Sequence, residues 1–260
     1  MSSHDMGSAR IALRRLAAEK PELGIDPGPI APPFLSPGQI ASGPELDIWL
    51  DRTAMLYGGM DRRSAAAYLL SILVWRLGEI LGSLYLSDTR LPRLTDRDLA
   101  MVLRIEGAGT GRDIDFRFRF AIPEAGRPRD RAAFIGTLAA IHEPLVAALS
   151  DRTGLSRRAL WRLVGDGISG GMLAHAKRCG GEERARAEAE AIMASEPLRN
   201  RQWRFVEVDV AGEGEWFRLR GGCCRLYRTP GGAYCSTCVV VPAPDRIEWL
   251  AAAIRRRRGA

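Results

Sequence analysis

The sequence predicts an α+β protein: a mainly helical domain with a β-hairpin or small antiparallel sheet, then a small cysteine-rich C-terminal segment. Three observations point there. Apolar residues recur at helical spacing over long stretches, as in Tyr68, Leu69, Ile72, Trp75, Leu77, Ile80 and Leu84. One stretch alternates strictly instead, with Ile114, Phe116, Phe118 and Phe120 on one side and Asp115, Arg117 and Arg119 on the other. Four of the five cysteines, Cys223, Cys224, Cys235 and Cys238, crowd together near the end of the chain. At 260 residues there is material for one large domain or two modest ones.

Residues 1–43 form an N-terminal extension, in which a short helical pattern (Ile11, Leu13, Leu16) leads into a stretch of prolines at 27, 29, 32, 33 and 37. Proline at that density favours extended chain. Residues 44–200 form the helical domain. Leu46, Trp49 and Leu50 mark its first helix, and Ser64 is placed to cap a long second one running through Leu84. A hairpin over 101–120 follows, with Met101–Ile105 and Ile114–Phe120 flanking a glycine-rich turn, Gly107 to Gly111. Its apolar face must pack on helices, and its polar face with Arg117 and Arg119 faces solvent or a ligand. A helix from about Asp130 to Leu149 carries Pro144, a kink position. Another helix starts at Ser156, and an alanine-rich one from Glu182 to Ser195 has opposite charges four apart. Residues 201–260 form the C-terminal region, with strands at Gln202–Val210 and Trp216–Leu219, then the cysteines, then a short helix capped by Asp245.

The cysteines read Cys223-Cys224-x10-Cys235-x2-Cys238. Thiolates are soft ligands that select zinc, copper(I) or iron–sulfur clusters. The C-x2-C half suits a mononuclear zinc site, but the adjacent pair does not, because neighbouring side chains diverge. Adjacent cysteines more naturally reach different parts of a larger object, and a [2Fe–2S] cluster takes four thiolates. Zinc, or no metal at all, stays open at this point. The spacing matches neither of the common ferredoxin patterns. It suggests that Cys235 and Cys238 share one iron and Cys223 and Cys224 the other. The remaining cysteine, Cys179, reads as a bystander at a helix end.

The stretch Gly221 to Cys238 resembles the C-terminal cluster motif of the FhuF-type ferric-siderophore reductases, which carries C-C-x10-C-x2-C. A weaker echo is His142-Glu143-Pro144-Leu145 followed by Gly154-Leu155-Ser156 and Leu160-Trp161; the polar continuation usual after the tryptophan is replaced here by Arg162-Leu163-Val164-Gly165. The resemblance implies a [2Fe–2S] cluster on Cys223, Cys224, Cys235 and Cys238. It also implies one-electron reduction of Fe(III) in a ferric siderophore, of hydroxamate type among others, releasing Fe(II) for iron assimilation. Such chemistry needs no acid or base, so no catalytic side chain is assigned. With no flavin or nicotinamide motif in the chain, electrons are expected from a partner such as a ferredoxin or a flavin reductase. Arg218, Arg220, Arg225 and Arg228 flank the cysteines, as suits a negatively charged cluster. The glycines at 221, 222, 231 and 232 are expected to let the backbone wrap closely and to offer N–H groups to sulfur. Contacts to an oxygen-rich ligand are sought at Arg117, Arg119, Arg225 and Arg228.

Other classes are weighed against this reading. A zinc-stapled module binding small molecules or proteins would be redox-silent. Net charge is +7 with arginine almost throughout, only Lys20 and Lys177 being lysine. No basic stripe with interleaved aromatics runs through the chain, so no nucleic acid is expected. The run Arg255–Arg258 reads as a solvated tail, with an acidic electron donor, a membrane surface or a transporter as the livelier partners. Gly165-Asp166-Gly167-Ile168-Ser169-Gly170 matches G-x-G-x-x-G but follows a helical pattern rather than a strand, so it breaks the helix or permits close packing. His142 and His175 are isolated, and no Ser-His-Asp set or H-E-x-x-H motif is present. There is no apolar leader before Leu23, and the apolar run Ala65–Leu86 carries Arg76 and Glu79, which argues against a membrane span. Cytoplasmic residence is the expectation, and there thiols stay reduced.

Overall fold

The computed structural model describes residues 9–26, 28–87, 93–105, 114–122 and 130–259. It is a mainly helical α+β fold with two small antiparallel sheets. The helices are α1 (Ala9–Glu19), α2 (Pro37–Ser42), α3 (Glu45–Ala54), α4 (Arg62–Leu86), α5 (Arg131–Thr153), α6 (Arg157–Cys179), α7 (Glu182–Met193) and α8 (Ala243–Arg258). One hairpin joins β1 (Leu99–Ile105) to β2 (Ile114–Phe120), the other β3 (Arg204–Val210) to β4 (Glu213–Leu219).

The core is built on α4 and α6. Asp61, not Ser64, caps α4: its carboxylate accepts the Ser64 N–H at 2.8 Å and the Ser64 hydroxyl at 2.9 Å. Ser64 therefore lies one turn inside, buried. By length and composition α4 and α5 could each span a bilayer, but 78% of the most apolar window of α4 is buried within the protein. Its charges are satisfied there: Arg76 pairs with Asp115 at 2.8 Å and Glu79 with Arg178 at 2.5 Å.

The G-x-G-x-x-G stretch lies inside α6, which runs unbroken. A Cβ on Gly167 would lie 2.2 Å from the Val74 carbonyl oxygen, and one on Gly78 2.2 Å from that of Gly167. The glycines therefore bring two backbones together, which is the packing expectation rather than helix breaking. Ser156 caps α6 as expected, accepting the Ala159 N–H at 3.2 Å. Helix α5 continues through Pro144.

In the first hairpin Leu99 pairs with Phe120 and Ile105 with Ile114. Ile114, Phe116 and Phe118 are buried, with Phe116 edge-on to Trp49 at 5.7 Å. The turn Gly107–Gly111 lies outside the described residues. The charges of the polar face pair within the protein, although Arg117 stays 44% exposed to solvent. Asp115 takes both Arg76 and Arg117. Arg119 pairs with Asp26 at 3.0 Å and stacks 3.9 Å over Phe34. The proline-rich stretch supplies those partners and extends the sheet at both edges, through bridges from Ile25 to Phe118 and from Leu35 to Met101. Pro37 opens α2, where a missing N–H costs nothing, and Ser36 with Gln39 makes a capping box. Leu13, Leu16, Leu23 and Ile40 lie in the same core as α4 and α6.

The β3–β4 turn uses Ala211 and Gly212, both at positive φ (58° and 82°), as a two-residue hairpin requires. Helix α8 packs on this hairpin through Leu250, Ala251 and Ile254 against Val208 and Leu219, a small second core. It starts at Ala243, so Asp245 lies in its first turn and Pro242, with no side-chain cap, precedes it. The arginine run is exposed, as expected, but it is the last turn of α8 rather than a free tail. Arg255 pairs with Glu248 within the helix, while Arg257 with Glu215 and Arg258 with Glu213 tie the last turn of α8 to the hairpin.

Candidate metal centre

Strand β4 ends at Leu219 and delivers Arg220, Gly221, Gly222, Cys223 and Cys224 into the space ahead of α8, where Cys235 and Cys238 return. Cys224 and Cys238 are buried, and Cys223 and Cys235 half-buried. The four sulfurs are neighbours. Cys223 lies against Cys238, Cys224 against Cys235, and Cys235 also against Cys238. Those contacts link each member of the adjacent pair to a member of the C-x2-C pair. Among the described residues no three or more His, Cys, Asp or Glu side chains are grouped around one metal ion.

Hydrogen-bond donors surround the sulfurs. The N–H of Arg225 reaches Cys223 Sγ at 3.4 Å, Arg220 Nη1 reaches Cys235 Sγ at 3.6 Å, and the N–H groups of Leu226 and Val240 serve Cys224 and Cys238. Arg225 makes its bond from a left-handed conformation, φ 60°. The contact with Cys238, aided by the Arg225 N–H, draws the Cys223 thiol down to about 7. The contact with Cys235 and burial push Cys224 up. Four thiols, amide donors to sulfur and one adjacent guanidinium fit a negatively charged cluster.

The glycines do something other than expected. Close wrapping holds: a Cβ on Gly232 would lie 1.9 Å from the Leu226 carbonyl oxygen. Their N–H groups do not go to sulfur. Those of Gly221 and Gly222 go to the Asp166 carboxylate at 2.9 Å each, that of Gly231 to Tyr57 O at 2.9 Å and that of Gly232 to Thr229 O at 3.0 Å. Asp166 is 2% exposed and also meets Arg220 Nε at 3.4 Å. Burial works against the Arg220 charge, but Asp166 and the Cys224 and Cys235 sulfurs hold its guanidinium above the usual range. Asp166 is the functional residue that the cysteine motif alone could not reveal. Its signal was a lone acid among Leu163, Val164 and Ile168 on an apolar, glycine-rich helix, where a charge must have partners.

Of the other flanking arginines, Arg225 turns its side chain to Ser64 and Asp61. Arg228 is exposed. Arg218 donates to the Asp166 carbonyl oxygen and lies 5.6 Å from the Trp75 ring centre. Burial draws its guanidinium down to about 10, with Asp166 opposing and Arg220 adding to the effect. A cavity of about 520 Å³ opens beside Cys235, walled by α4, α6 and β4. Cys179 lies exposed at the end of α6, and His142 is fully buried with Nδ1 donating to Leu138 O at 2.8 Å. Neither joins the centre.

Residues 220–239 match the family model described as the FhuF 2Fe-2S C-terminal domain. No curated protein matches the chain. The matched segment coincides with the loop that gathers the four thiols, so this C-terminal segment is similar to a FhuF 2Fe-2S domain, with a [2Fe–2S] cluster as its cofactor.

Proposed function

We propose that this chain reduces Fe(III) in ferric siderophores by one electron and so releases Fe(II) for iron assimilation in the cytoplasm. Cys223, Cys224, Cys235 and Cys238 hold the cluster, with Cys235 and Cys238 assigned by their spacing alone to one iron and the adjacent pair to the other. The observation that carries this reading is where the thiols lie: two are half-buried, and one of these, Cys235, borders a cavity large enough for part of a chelate. When bound, the cluster supplies one electron to the chelated Fe(III), and a one-electron donor of the ferredoxin or flavin-reductase class replaces it.

The rest is done by this chain's residues. Arg220 and the N–H groups of Arg225, Leu226 and Val240 favour the more negative, reduced state. Asp166 fixes the loop that carries two of the ligands. Hard oxygen donors hold Fe(II) poorly, so the iron leaves once reduced, and no side chain needs to move a proton. The test is a single turnover. Reduced protein is mixed anaerobically with a ferric hydroxamate and an Fe(II)-trapping dye. One trapped Fe(II) per cluster is expected; none, with the cluster intact, removes the proposal.

A further inference from the structure

The cavity beside Cys235 has a composition that selects a charge. Its lining carries three cations, Lys177, Arg218 and Arg220, against one carboxylate, Asp166. That carboxylate is already engaged by two backbone N–H groups and by Arg220. Lys177 is paired with Glu215, but Arg218 makes no ion pair among the described residues: one Nη donates to a carbonyl oxygen and its buried Nε has no partner. The Asp166 carboxylate and the Cys235 sulfur favour its charge from nearby without bonding it, so an anion in the cavity would complete a guanidinium held largely out of water. Around it the walls are aromatic, with Trp75 47% exposed and Trp216 opposite on β4.

We propose that this cavity is the docking site for the ferric chelate and that it selects net-anionic chelates, the apolar arms lying against Trp75 and Trp216 and the negative charge against Arg218. This rests on the reductase reading. It places the substrate against Cys235, so the electron leaves through that ligand.

The test uses holoprotein and two probes of opposite charge on one scaffold. These are gallium(III) desferrioxamine B, whose pendant ammonium makes it cationic, and its N-succinyl derivative, whose pendant carboxylate makes it anionic. Gallium is redox-inert, so tryptophan quenching reads binding alone. The anionic probe is expected to bind about tenfold more tightly or better, as two charge units beside a half-buried cation imply. Arg218→Gln should bring the ratio toward one. Ala174→Phe, which fills the cavity from α6, should abolish binding of both, and Trp75→Ala should weaken both, with the cluster spectrum retained as the folding control. Equal binding of the two probes by the wild type, or undiminished binding by Ala174→Phe, overturns the proposal. The iron forms separate the two readings. If they oxidise the reduced wild type and Ala174→Phe equally, reduction stands and the site falls. If gallium probes bind as expected but no ferric form oxidises the cluster, the site stands and reduction falls.

Discussion

Asp166, buried in the middle of α6, holds Gly222, the residue immediately before the first of the four clustered cysteines: its Oδ2 accepts the Gly222 N–H at 2.9 Å. Its Oδ1 does the same for Gly221, and Arg220 supplies the counter-charge. One side chain of the helical core thus sets the end of β4 from which the cysteine loop departs. Asp166→Ala leaves two amides and a guanidinium buried without their acceptor. It should destabilise the protein by about 3 kcal/mol or more. Asp166→Asn keeps one acceptor oxygen and should do less harm, yet still lower the iron and acid-labile sulfide per chain. Unchanged iron content and Tm in both variants would show that the loop does not depend on this contact.

The helix pair that carries Asp166 relies on glycine. Replacing a helical glycine by alanine ordinarily gains about 1 kcal/mol from propensity. At Gly167 the new Cβ would lie 2.2 Å from Val74 O, and backbone cannot retreat as a side chain end can. Overpacking of this kind costs about 1–3 kcal/mol, so Gly167→Ala should be net destabilising. Gly136→Ala, also within a helix, meets only the Arg93 side chain at 3.5 Å and should be neutral or stabilising. Denaturant midpoints of the two variants decide it, and a stabilised Gly167→Ala would refute the close approach.

Serine at any of positions 223, 224, 235 or 238 should remove or visibly alter the cluster absorbance. Cys179→Ser, at the exposed end of α6, should leave both spectrum and iron content as they are. Four unaffected spectra would overturn the assignment of the ligands.

His142 gives the fold a pH dependence. Burial lowers its imidazole from 6.5 to about 4, although the bond to Leu138 O works the other way. Between those values the unfolded chain binds a proton that the folded one does not. Stability is therefore full above about 6.5 and falls as the pH drops toward about 4, by about 2 kcal/mol from neutral to about pH 5. Urea unfolding of the wild type and of His142→Gln at the two pH values isolates this contribution, because both carry the same cluster. An identical acid sensitivity in the variant would contradict it.

The cysteine spacing and the β2 alternation were legible because each is a local pattern: thiol chemistry reads from position alone, and a two-residue period has one geometric meaning. Most helices were legible for the same reason. What escaped were relations between distant segments. The cap of α4 fell to Asp61 because an acid three residues before Ser64 can accept its N–H, and sequence offers both residues as candidates. The polar face of β2 looked free for a ligand until the proline-rich stretch brought Asp26 and Phe34 to Arg119. The arginine run is exposed as its charge suggested, but its pairing with Glu213 and Glu215 needed the hairpin to be placed beside it. The role of Asp166 needed the packing of α6 against the end of β4, which no spacing encodes.

The most direct measurement is an anaerobic visible spectrum of the purified protein, before and after dithionite and again after removal of excess dithionite and addition of a ferric hydroxamate. The account predicts red-brown absorbance that bleaches on reduction and returns with the chelate. A colourless protein holding one zinc, or a cluster that stays reduced in the presence of ferric chelates, would contradict it.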